Sequence, residues 1–220
     1  MAHLYLIRHG QAGDVMGDYD HLSERGWAQA RRAGEGWRHL GAVQHVVHGA
    51  MRRHRETAQG FAEAFGPLPV AVEDADWNEF DHQAVIRAYA ARHGTPEPGA
   101  ERAAFFRFFA GAMGRWSDGQ HDDDYPEAYA AFQARVERGL GRVVGQLGSG
   151  QTGLVFTSGG VVSAVARHLL GLEPAMAFRL NTVFVNTGVT HLQVGGGRVS
   201  LVTLNEGSHL HGVPELITRS

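Results

Sequence analysis

Apolar residues fall in short bursts along this chain, and the spacing within each burst predicts strands alternating with helices. Residues 3–8, His-Leu-Tyr-Leu-Ile-Arg, form a β-prone apolar run that reads as a buried strand, broken by Gly10 and Gly13. A helix opens at Leu22–Trp27, with Ser23 as its candidate N-cap, and runs to about Leu40 before Gly41 stops it. Val43–Val47 predicts a second strand, about Arg52 to Phe65 a helix stopped by Gly66-Pro67, and Pro69–Val72 a third strand. From about 80 to 148 the chain reads as helices joined by loops. There Phe105, Phe106, Phe108 and Phe109 make an apolar helical face, taken as core, with a lid or a dimer face as the alternative. Pro126 suits the first turn of a helix from about Glu127 to Leu147. Leu154–Thr157 predicts a strand, and Gly159-Gly160 opens a helix to about Leu170. Val189–Val194 and Arg198–Leu204 then form a hairpin across Gly195-Gly196-Gly197.

Such alternation predicts an α/β fold, a three-layer αβα sandwich whose mostly parallel sheet the final hairpin makes mixed. No linker divides the chain, so residues 1–220 are expected to form a single domain with a helical insertion at about 80–148. Ligands of such sheets bind at the carboxyl ends of the strands. Three predicted strand ends carry reactive or glycine-rich residues: Arg8-His9-Gly10, Gly49 to Arg53, and Thr157 to Gly160.

Composition narrows the chemistry. The chain lacks cysteine, which excludes thiolate nucleophiles, disulfides and Cys-based zinc sites. A net charge of −3 leaves no global basic footprint for nucleic acid. All 20 basic residues are arginine, the better bidentate partner for phosphate oxygens, so a locally basic pocket stays open. No run is long enough to cross a membrane and no signal peptide is visible, so a soluble, cytoplasmic protein is expected. His121-Asp122-Asp123-Asp124 invites a metal, but three adjacent carboxylates are better read as a solvated loop, and no metal is expected. His209-Leu210-His211 reads as structural hydrogen bonding at a pocket rim rather than as ligands.

Arg8-His9-Gly10-Gln11 is the candidate reactive centre. A neutral imidazole can attack phosphorus, and histidine is substantially neutral at physiological pH. Arg8 can hold phosphate oxygens, and Gly10 lets the backbone approach a ligand. Taken alone, the triplet is more simply a hydrogen-bonded surface histidine at a strand end than a nucleophile.

The rest of the chain supplies the context. Leu6-Ile7-Arg8-His9-Gly10-Gln11 resembles the signature of the histidine phosphatase superfamily, which includes phosphoglycerate mutases. Leu22-Ser23-Glu24-Arg25-Gly26 with Gln29-Ala30, and Gly49 to Ala58, resemble its next stretches. Asn78-Glu79-Phe80-Asp81-His82, Phe156 to Val161, and Asn205 with His209-Leu210 follow in the family's order. The resemblance spans about residues 4 to 210. It implies His9 as nucleophile, Glu79 as general acid and base, and Arg8 and Arg53 as phosphoryl clamps, the register of Thr57-Ala58 favouring Arg53 over Arg52 or Arg55. No cofactor is implied.

One motif departs from the family. Where it normally carries Ser-His-Gly-Gly, this chain has Thr157-Ser158-Gly159-Gly160, so Ser158 replaces the second pocket histidine. A serine hydroxyl donates one hydrogen bond and brings no charge, and losing such a donor costs about 10²–10³ in rate. Ser158 and the amides of Gly159 and Gly160 are expected to donate to phosphate. With Asp18-Tyr19-Asp20 and Asn78-Glu79-Phe80-Asp81-His82, the Thr-Ser-Gly-Gly form resembles a bacterial subgroup of the superfamily. Gln11, Asp81, His82 and His209 are candidates for the shell behind the site; Asp81 is also an alternative acid, and His82 an alternative replacement for the lost histidine.

Three functions compete on this reading. The first is a phosphomonoesterase acting on a small phosphorylated substrate through phosphohistidine on His9. A mutase would have to hold a second phosphate. A phospho-ligand binding protein with weakened catalysis draws its support from Ser158. A homodimer is the candidate assembly.

Overall fold

The computed structural model describes residues 1–13, 20–97 and 101–219, with Arg102 by its backbone alone. Asp18 and Tyr19 lie outside these residues. Strand β1 (Ala2–Arg8) leads through a loop to α1 (Glu24–Gly36). β2 (His45–His48), α2 (Arg52–Phe65) and β3 (Val72–Glu73) follow. Three helices, α3 (His82–His93), α4 (Arg102–Ser117) and α5 (Tyr129–Gln146), fill the middle of the chain. The last part holds β4 (Thr152–Thr157), α6 (Gly159–Leu170), α7 (Pro174–Asn181) and the hairpin β5 (Val189–Gly195) and β6 (Arg198–Glu206).

Hydrogen bonding orders the six strands β3-β2-β4-β1-β5-β6. β1 runs parallel to β4, with Leu6 opposite Val155 and Arg8 opposite Thr157, and antiparallel to β5. β2 is parallel to β3 and β4, so the sheet is mixed, as the closing hairpin predicted. β1 and β4 are buried on both faces, which explains why they read as unbroken apolar runs. Tyr5, Ile7, Leu154 and Phe156 pack with Ala33, Trp37 and Phe61 of the α1–α2 layer. Leu4, Leu6 and Val155 face the opposite layer, built on Val85, Trp116, Phe132, Val136 and Val161. Among the described residues, no helix is long and apolar enough to cross a membrane.

Several boundaries differ from expectation. The third strand begins at Val72, not Pro69, and both of its residues are exposed at the sheet edge. Proline has no N–H for a ladder, so Pro67 and Pro69 delay pairing. α1 ends at Gly36, and a 3-10 turn over Arg38–Leu40 completes the predicted length. Pro126 precedes α5 rather than starting it, because the Glu127 carbonyl accepts from the Trp116 indole N–H at 2.8 Å. α7, begun by Pro174, is too short and too close to α6 for periodicity to separate it.

The phenylalanine cluster is not core. Phe105 and Phe106 are 56% and 50% exposed, and α4 meets the core one turn later through Ala112, Met113 and Trp116. Phe108 lies edge-on against Tyr89, and Phe109 sits at the core margin. Trp116 is the residue that matters for the site, since it stacks on Phe80 beside Glu79, with ring centroids 4.6 Å apart.

Gly34 sets how closely α1 and α2 approach, because a Cβ there would collide with the Phe61 carbonyl oxygen, a backbone atom. In an isolated helix Gly→Ala gains about 1 kcal/mol. Here the sign reverses: Gly34→Ala is expected to destabilise by roughly 1–3 kcal/mol of overpacking, read by urea unfolding. A stabilised variant would show that the two helices can move apart freely.

Candidate active site

The carboxyl ends of β1, β2 and β4 converge, and each delivers its predicted residues to one place. His9 follows β1 and is 5% exposed. Its backbone N–H donates to the Thr157 carbonyl at the end of β4, 2.8 Å away. The His9 carbonyl accepts from the Thr187 N–H and from Nδ2 of Asn186 at 3.2 Å. Thr187 holds φ at 58°, a left-handed conformation that a threonine adopts only under constraint from its surroundings.

The imidazole is held by its own neighbour. Nδ1 of His9 lies 2.7 Å from the Gly10 carbonyl oxygen. A carbonyl only accepts, so Nδ1 carries the proton and Nε2 presents a lone pair. Burial, then the charges of Arg53 and Arg8 and the nearby His54 ring, hold the His9 pKa well below the ordinary imidazole value. The Gly10 peptide is fixed in turn by Thr57, whose Oγ1 accepts from the Gly10 N–H at 3.1 Å and donates to the Arg53 carbonyl at 2.6 Å.

Arg8 and Arg53 are buried, whereas Arg52 and Arg55 are exposed. Arg8 donates to the Phe184 carbonyl. Arg53 pairs with Asp20 at 2.7 Å, and the other oxygen of that carboxylate accepts from the Arg52 N–H at the start of α2. Glu79 is partly exposed and accepts from the Gly160 N–H at 3.0 Å. That amide was expected to face phosphate, but it holds the carboxylate. Gly160 leaves the space for it, since a Cβ would strike Glu79. The loop bearing Glu79 is pinned from three sides. Thr157 Oγ1 donates to the Trp77 carbonyl at 2.6 Å, Arg135 donates to the Asn78 carbonyl at 2.6 Å, and the Ala50 N–H reaches Asn78 Oδ1. Gly159 lies beside Arg8 Nε and the Asn181 side chain.

The outer candidates divide. The Gln11 N–H donates to Gln29 Oε1 at 2.7 Å, and Gln29 donates onward to the Leu216 carbonyl and Thr218, tying the last residues to the site. His209 is buried and lies 3.0 Å from Thr187 Oγ1, so it supports the residue that grips the His9 carbonyl. Asp81 caps α3 through the Ala84 N–H and pairs with Arg87 at 3.7 Å. His82 opens α3, partly buried. Asp124 of the acidic run binds Arg115 and Arg92.

One residue was missed. His54, on α2 beside Arg53, is fully buried with its ring centroid 5.8 Å from that of His9. Its Nε2 lies 2.6 Å from Ser158 Oγ. The signal was present, because a histidine next to Arg53 could be weighed against the one that Ser158 replaces in the family motif. An apolar cavity of about 330 Å³ between α4 and α7, lined in part by Phe106, Phe109, Met113 and Phe178, shares none of these residues.

The family model for the histidine phosphatase superfamily (branch 1) matches residues 4–207. No curated protein matches the chain. The fold is similar to that of a phosphoserine phosphatase from Entamoeba histolytica, at TM-score 0.68 and 19% identity over 96% of this chain and 100% of that one. A mycobacterial glucosyl-3-phosphoglycerate phosphatase matches at 0.64 and 24%, over 94% and 98% of the two chains. A phosphoglycerate mutase from Bacillus anthracis matches at 0.68 and 15%, over 95% of each.

His9, His54 and His209 are all held below the ordinary imidazole value, chiefly by burial, with His209 at about 4. Unfolded, each takes up a proton near pH 6.5. Below that pH the unfolded state therefore binds more protons, and stability falls with pH until the folded groups titrate, at about 4 for His209. Urea midpoints are expected to drop between pH 6.5 and 4, each histidine contributing up to about 1.4 kcal/mol per pH unit. His209→Gln should flatten that slope by one proton, and an unchanged slope would place the sensitivity elsewhere.

Proposed function

The chain belongs to branch 1 of the histidine phosphatase superfamily, a superfamily of phosphatases and mutases, and on that premise we propose that it hydrolyses phosphomonoesters through a phosphohistidine on Nε2 of His9. The observation that carries the proposal is the 2.7 Å bond from His9 Nδ1–H to the Gly10 carbonyl, which leaves Nε2 as a lone pair on a buried ring within reach of the charges of Arg53 and Arg8. Nε2 attacks the phosphorus of a small phosphorylated substrate. The phosphorus–oxygen bond to the alcohol breaks as Glu79, entering this step in its protonated form, gives the departing oxygen its proton and becomes the carboxylate. The Glu79 carboxylate then takes a proton from water as that water attacks the phosphohistidine, releasing phosphate and restoring His9. Arg8 and Arg53 stabilise the charge spread over the phosphoryl oxygens in both steps.

Asp20 gives the clamp a second function. Its bond to Arg53 orients the guanidinium and offsets one positive charge at the rim, from a side chain 44% exposed. A second phosphate group would have to enter beside that carboxylate, and the acidic neighbour favours a hydrolase over a mutase working with a bisphosphate primer.

Two results are expected. His9→Ala abolishes hydrolysis of p-nitrophenyl phosphate and the acid-labile, base-stable label trapped from it, and equal rates with and without His9 would refute the nucleophile. Glu79→Gln lowers turnover of alkyl phosphates by about 10²–10⁴, because alkoxides need a proton to leave. It lowers turnover of p-nitrophenyl phosphate far less, because that leaving group is a weak base. Equal losses on both substrates would remove Glu79 as the acid.

A further inference from the structure

A buried histidine that the mechanism does not use sits beside the serine that replaces the family's second pocket histidine. Ser158 is fully buried at the end of β4, one residue beyond the Thr157 carbonyl that binds the His9 N–H. It occupies the N-cap position of α6, yet its hydroxyl caps no helix N–H. The one hydrogen-bonding partner of that hydroxyl among the described residues is His54 Nε2, at 2.6 Å.

Either group could donate in that bond, and the other side of the imidazole decides. His54 Nδ1 is buried and has no hydrogen-bond partner. It faces Gly49, where an added Cβ would strike it. The Gly49 Cα–H in that direction therefore points at Nδ1. An N–H at Nδ1 would meet this hydrogen head-on and remain an orphaned buried donor, whereas a lone pair accepts it as a weak C–H···N contact. Nδ1 is therefore the bare nitrogen, and Nε2–H donates to Ser158 Oγ. The hydroxyl proton of Ser158 is left unspent.

We propose that His54 is a positioning residue that fixes and polarises Ser158, so that the Ser158 hydroxyl donates to the transferring phosphoryl group in place of the missing histidine; this rests on the phosphatase reading above. Two ordinary side chains then supply what one histidine supplies elsewhere in the family: Ser158 the contact, and His54 the orientation. Burial, then the charge of Arg53, keeps His54 neutral, in agreement with a donor that carries no charge of its own. Chains of hydrogen bonds strengthen their terminal donor, which favours a polarised hydroxyl over an isolated one. Gly49 becomes a requirement of the same device, since it provides the space that seats the ring.

The test is a double-mutant cycle on p-nitrophenyl phosphate turnover with Ser158→Ala, His54→Ala and both together, melting temperatures being measured alongside. Each single variant is expected to lose about 10²-fold in kcat with little change in KM, and the double variant to lose no more than the worse single. His54→Gln, which returns an N–H close to the place of Nε2, should recover most of the rate. His54→Phe, which only fills the space, should not. Losses that multiply in the double variant, or full activity in His54→Phe, would overturn the proposal.

Orthovanadate and inorganic phosphate binding separate this proposal from the phosphatase reading, because neither needs turnover. His54→Ala and Ser158→Ala should weaken vanadate, which imitates the five-coordinate transition state, about tenfold or more beyond any loss for phosphate. Equal weakening of both anions would count against the pair. If the wild-type protein binds both anions but neither hydrolyses an ester nor traps label on His9, the phosphatase reading fails while the pair is still judged by the two titrations.

Discussion

The short bond from His9 Nδ1 to the Gly10 carbonyl is the constraint on which the site depends. It decides which imidazole nitrogen can react, and everything around it serves to hold that peptide still. A Cβ on Gly10 would press into the Gly26 backbone, so the close approach of the loop to α1 requires glycine there. Thr57 ties the Gly10 N–H to the first turn of α2. The same turn carries Arg53 and His54. The proposed nucleophile, clamp and positioning histidine are therefore all placed by one junction between the end of β1 and the start of α2, and small errors in one would appear in the others.

The electrostatics of this junction are one-sided. Two guanidiniums and two imidazoles are buried together, and burial together with mutual repulsion forces both imidazoles to be neutral. That is unfavourable for the empty site and favourable for an anion entering it, a pattern expected where binding is the purpose of the charge. The two nearby carboxylates, Asp20 and Glu79, lie at the margin, partly exposed, each held by a backbone N–H. Both rings are thus held neutral, as the roles proposed for them require, and the arginines bear the charge.

Much of this was legible in the sequence, for physical reasons. β1, β4 and α2 were visible because burial on two faces, or a firm glycine-proline stop, leaves a strong local pattern. Arg8, His9 and Arg53 were singled out because they stand at predicted strand ends, whereas Glu79, which follows a 3-10 turn, was reached only through the family resemblance. What failed depended on tertiary context. Four phenylalanines in one turn and a half look like core, yet α4 crosses its neighbours one turn later and leaves two of them in solvent. Pro126 looks like a helix start, but the Trp116 indole claims the next carbonyl. His54 was hidden because its role depends on Ser158, 104 positions away. Ser158 could be singled out from its motif, but His54 has no meaning for the site until β2 and β4 are seen as neighbours, because a linear motif records residues without pairing them.

The most direct measurement of this account is the chemical identity of the phosphorylated histidine. Enzyme quenched in base during turnover can be digested, and the phosphohistidine isomer identified by 31P NMR against the two standards. The account predicts phosphorus on Nε2 alone, because Nδ1 is occupied by its bond to Gly10. Phosphorus on Nδ1 would contradict it, since the ring would then have to turn away from the carbonyl that defines the site.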